Sequence, residues 1–89
     1  MIKKFVDHQK AQCYVISHDE DNKVLISYTT AVIEIVDGWL YVNGLYSRTT
    51  IKHIGWFMRE ELGMTYQLAK QLYLDGMRMN IHTGEVEPK

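Results

Sequence analysis

The chain has 89 residues, enough for one domain near the small end of what folds on a hydrophobic core. With 46% apolar residues, 24% charged residues, one proline and six glycines, the composition argues against a long disordered tract, and it contains neither an 18-residue apolar run nor a signal-like N-terminus. The net charge of -1 argues against indiscriminate grip on nucleic acid, and the single cysteine, Cys13, rules out an internal disulfide framework, so a cytoplasmic protein with a buried thiol is expected.

Residues 1–10 hold Ile2, Phe5 and Val6 among polar neighbours, too short a run to classify. A-Q-C-Y-V-I-S at 11–17 is rich in strand formers, and the polar cluster at 18–22 reads as a turn. Within it Asp19 and Asp21 have the spacing that opens a calcium loop, but Lys23 occupies the next ligand position and no closing glutamate follows. Further strands are expected at 23–28, 31–37 and 39–43, with Asp37-Gly38 a two-residue hairpin signal and Asn43-Gly44 a second turn. Residues 11–45 therefore read as an antiparallel meander of three or four strands.

A helical hairpin is expected over 47–76. Hydroxyls at Ser47, Thr49 and Thr50 can cap a main helix from about 48 to 62, and Ile51, Ile54, Met58 and Leu62 form its apolar stripe. Opposite that stripe lie Lys52, His53, Trp56, Arg59 and Glu60, so a tryptophan is expected on the solvated face, exposed or covered by a terminus. Gly55 is read as allowing close approach of helix to sheet. Gly63 ends the first helix, and Thr65 caps a second from about 65 to 75, with Leu68, Ala69 and Leu72 inward. In the tail, 77–89, M-R-M-N-I alternates like a strand and E-V-E-P-K is expected to fray. The fold class is α+β: one domain, an antiparallel sheet covered by a main amphipathic helix, then a second short helix and a strand-like tail.

No nucleophile with a positioned base, carboxylate pair or phosphate loop is visible, and His8, His18, His53 and His82 have no metal-ligand spacing. The chain is therefore expected to be neither an enzyme nor dependent on a metal or cofactor, with His53 a surface residue. R-E-E-L-G-M-T-Y-Q-L-A-K-Q-L has the outline of a helix-turn-helix, which would offer Arg59, Tyr66, Gln67 and Lys70 to nucleic acid. Its cationic content is thin for phosphate contact. Residues 1–42 carry four Lys against six Asp and Glu, while residues 43–78 carry five Lys and Arg against three acids, so the helical part is the basic one.

S-Y-T-T-A-V-I-E-I at 27–35, followed by Y-S-R-T-T-I-K-H-I-G-W-F at 46–57, resembles small proteins of phages and prophages of low-GC Gram-positive bacteria. These share S-Y-x-T-x-V and Y-S-x-T-T-x-K-H-I-x-x-F, matched here by Ser27, Tyr28, Thr30, Val32, Tyr46, Ser47, Thr49, Thr50, Lys52, His53, Ile54 and Phe57. The resemblance implies a phage origin and the host cytoplasm. Such small proteins often act by binding host or defence proteins, so a protein partner is expected at Lys52, His53, Trp56, Arg59 and Glu60. Thr50 is a further contact candidate. Nucleic-acid binding by the helical hairpin is the alternative, and a homodimer is a further way to hide exposed aromatic residues.

Overall fold

A computed structural model of the chain describes residues 1–5 and 7–89; Val6, counted above among the apolar N-terminal residues, lies outside them. The elements are β1 (Ile2–Lys3), β2 (Cys13–Asp19), β3 (Asn22–Ser27), β4 (Thr30–Val36), β5 (Trp39–Val42), α1 (Arg48–Leu62), α2 (Tyr66–Asp75), β6 (Met77–Asn80) and β7 (Val86–Pro88). The α+β class stands, but the sheet has seven strands, not three or four. They pair antiparallel in sequence order, and the two helices are inserted between β5 and β6.

The additional strands come from the two ends of the chain. Residues 1–10 supply β1, which pairs Ile2 with Ile16 and Lys3 with Val15. The tail expected to fray is β7, with Met77 opposite Pro88 and Arg78 opposite Glu87. Its charges explain why: Arg78 reaches across to Glu87, and Lys89 Nζ donates to the Val42 carbonyl at 2.9 Å. At the other end of the sheet, the strand expected at 11–17 starts at Cys13 and runs on to Asp19. His18 and Asp19 are strand residues because Asp19 pairs with Asn22 across a two-residue turn and accepts the Asp21 N–H.

Local turn chemistry fixes the remaining registers. Asp37 and Gly38 have φ of 50° and 83°, the left-handed pair that a type I′ hairpin needs, and they set Val36 opposite Trp39. Between β3 and β4 the register shifts: Leu25 pairs with Ile33 but Ile26 with Ala31. Val32 is thus an extra residue, and both it and Ile33 are fully buried. At Gly44 a Cβ would lie 2.8 Å from the ring of Tyr46, an exposed side chain that would have to swing aside.

Both helices pack on one face of the sheet. The core joins Cys13, Val15, Leu25, Ile33, Leu40 and Met79 of the strands to Ile54, Phe57, Met58, Ala69 and Leu72 of the helices. Ser47 accepts the Thr50 N–H and Thr65 accepts the Leu68 N–H, the two N-caps expected from sequence. Gly63 and Gly76 close the helices with φ near 65°.

The inner face of α1 is not the one that apolar spacing predicts. Thr50, His53, Ile54, Phe57 and Met58 are buried, whereas Ile51 and Leu62 are only half-buried. The helix is rolled toward Phe57, and this roll carries three polar residues, Thr50, His53 and Glu61, into the interface. Their partners stand on the inner face of β3, at Ser27 and Lys23.

Candidate functional site

The interface between α1 and β3 is polar at both ends and apolar between them. At one end Ser27 Oγ lies 2.8 Å from His53 Nδ1 and 3.0 Å from Thr50 Oγ1. At the other, Lys23 Nζ lies 3.1 Å from Glu61 Oε1, and Lys3 Nζ lies 2.9 Å from Glu61 Oε2. The spacings agree. Four strand residues from Lys23 to Ser27 span about 13 Å, and eight helical residues from His53 to Glu61 span about 12 Å. The helix therefore runs antiparallel to β3, pinned at two points.

These groups are tuned by their surroundings. Burial alone would push the Lys23 ammonium down and the Glu61 carboxyl up, but the hydrogen bonds and opposite charges they share outweigh it. Lys23 is left above its usual value and Glu61 below its own. Burial lowers His53, and the charges of Lys4 and His8 lower it further. Burial raises the Cys13 thiol, with Lys4 opposing.

Ser27 and His53 form a hydroxyl–imidazole pair that spacing along the chain does not reveal. With exposures of 2% and 1%, the pair is closed to a substrate and serves the helix–sheet interface. This corrects the expectation of a surface His53. The imidazole faces the sheet, and Thr50 beside it is also buried. Among the described residues, no three His, Cys, Asp or Glu side chains converge to hold a metal ion, and no helix is long and apolar enough to cross a membrane.

The other predicted contact residues separate. Lys52, Trp56, Arg59 and Tyr66 line one groove of about 460 Å³, together with Gly55, Met64 and Thr65. Glu60, Gln67 and Lys70 are exposed but lie outside it. Trp56 is half-buried, because the N-terminal segment covers part of it: His8 stacks on the indole at 3.5 Å, and Phe5 meets it edge-on at 6.0 Å. The indole thereby becomes a fixed wall of the groove. Lys52 and Arg59 line the same groove, and neither forms a salt bridge among the described residues. Thr65, the cap of α2, places the positive end of that helix dipole at the same opening.

Gly55 serves the helix pair and not the sheet. A Cβ there would sit 3.8 Å from Tyr66 Cβ, an ordinary contact. Gly55→Ala is therefore expected to raise stability by about 0.5–1 kcal/mol through helix propensity, read as a higher urea midpoint, while making the groove shallower.

Comparison with curated proteins gives no match, and neither does comparison with solved structures. A family model does match, over residues 2–76, which takes in β1 to β5 and both helices and stops before β6. The chain belongs to this family of unknown function, DUF8033.

Proposed function

We propose that this protein is a non-enzymatic, phage-encoded accessory protein that works in the host cytoplasm by binding a host or defence protein through the groove between α1 and α2. The observation that carries this reading is the combination of a fixed aromatic wall with cations that form no salt bridge among the described residues. Trp56, Tyr66 and Met64 offer a half-buried apolar anchor site, and Lys52 and Arg59 add charge to its lining. An acidic segment bearing one large apolar side chain has the complementary chemistry. The resemblance of residues 27–57 to small phage proteins supports the setting.

The test compares wild type with Trp56→Ala and with Lys52→Glu/Arg59→Glu as baits in a host lysate at physiological salt. A protein retained by wild type and lost by both variants supports the groove, whereas equal retention by all three baits sinks it. Anisotropy of labelled single-stranded and duplex DNA separates the alternative. Micromolar binding that falls steeply with salt, and is weakened by Lys70→Ala, would replace the protein partner by a nucleic acid.

A further inference from the structure

The face of the sheet turned away from the helices is unusually apolar. Strand register sets Ile2, Ile16, Val24, Glu34 and Tyr41 side by side in one row across β1 to β5. A second row joins Tyr14, Ile26 and Ala31. Trp39 stands beyond them, beside Val36, which is 47% exposed. An antiparallel sheet with one solvated face alternates apolar with polar residues, but Y-V-I in β2 and V-L-I in β3 do not alternate. Such runs belong to strands covered on both sides, and both helices lie on the other side.

We infer that a second copy of this chain packs on that face, sheet against sheet, in a symmetric dimer with the helices outside. Three observations select this occupant. The molecule measures 35 × 27 × 21 Å, and its short dimension suits one helix layer on one sheet, so the face offers about 700 Å², close to the roughly 800 Å² per partner of a standard interface. The charged groups on the face are engaged within the chain: Arg78 binds Glu87 and Tyr41 and lies 4.1 Å over the Trp39 ring, and Glu34 accepts from Asn43. Little free charge is left to select an ionic partner or a nucleic acid. The edges, finally, are poor templates for strand addition, because β1 has two residues and β7 has three, ending in Pro88, which has no N–H. Face-to-face packing about 10 Å apart is the arrangement such a sheet accepts.

The experiment is sedimentation equilibrium of the full chain from 1 to 100 μM at physiological salt, with Val24→Glu, Ile2→Glu and Trp56→Ala alongside. The expected result is twice the 10.5 kDa chain mass for wild type and Trp56→Ala, and a monomer for Val24→Glu with its far-ultraviolet circular dichroism unchanged. Should Val24→Glu fail to fold, Ile2→Glu decides, since its side chain is 67% exposed: a dissociation constant raised tenfold or more supports the face. A wild type that stays monomeric at 100 μM overturns the inference. So does a dimer that survives both glutamate substitutions, or one that Trp56→Ala abolishes.

Discussion

Glu61→Ala is expected to be the most damaging single substitution on α1 outside the apolar core. Its carboxylate is the acceptor for both Lys23 and Lys3, and the side chains of Glu61 and Lys23 are 8% and 4% exposed. Removing it leaves the Lys23 ammonium inside with, among the described residues, only the exposed Glu20 within reach at 3.3 Å. Breaking one partner out of a buried pair costs about 3–5 kcal/mol, a large part of what a domain this size holds in reserve. Urea unfolding at pH 7 measures it directly. The double variant Lys23→Met/Glu61→Leu is the informative companion, because replacing both ions by apolar groups of similar volume is expected to restore most of that loss. If the double variant is as unstable as the single one, burial of an ammonium deprived of Glu61 is not the cause. Acid offers a second check. Because the folded protein holds the Glu61 carboxyl below its usual value, the stability it contributes is complete above the ordinary carboxylate range and is lost as pH falls through the lowered folded value.

Ser27→Ala acts at the opposite pin. Thr50 keeps Ser47 Oγ at 3.3 Å, so the loss falls on His53 Nδ1, whose Ser27 contact is removed. An orphaned buried group of this kind costs about 1–3 kcal/mol. The pH dependence separates this loss from charge effects. Folding holds His53 neutral through burial first and the charges of Lys4 and His8 second. The unfolded chain takes up a proton near pH 6.5 that the folded chain refuses, so stability falls as pH drops below about 6.5 toward the lowered folded value. Ser27→Ala is expected to lower the urea midpoint at pH 7 while keeping that slope, whereas His53→Leu flattens the slope between pH 7 and pH 5. A Ser27→Ala protein as stable as wild type would show that the hydroxyl pins nothing.

Much of this fold is written in local chemistry, and the misses share one cause. Helix limits follow from Ser47, Gly63, Thr65 and Gly76, and the β4–β5 turn follows from Asp37-Gly38, because a cap or a turn is decided by residues a few positions apart. The roll of α1 is decided by residues tens of positions apart. Apolar spacing alone selects Ile51 and Leu62, and the partners that draw Thr50, His53 and Glu61 inward stand at Ser27 and Lys23. One signal was available: Lys23, Leu25 and Ser27 share a strand face, and two polar residues on a core face need partners on the helix above. In the groove, the residues opposite the apolar stripe included Lys52, Trp56 and Arg59, and the structure brings these together with Tyr66. The stack of His8 on Trp56 joins positions 48 residues apart and leaves no pattern along the chain.

The order of the strands has a kinetic consequence. Every pairing in the sheet joins neighbours along the chain, but they are separated by very different lengths: two residues close β3 on β4 and β4 on β5, whereas residues 43–76 must be gathered before β6 meets β5. Going from two residues to 34 is about four doublings, and each doubling adds about 0.6 kcal/mol to the entropy of closing a loop. The strands from β2 to β5 can zip together locally. The β6–β7 hairpin is expected to attach once both helices have condensed onto that meander, which places it late in the assembly of the sheet.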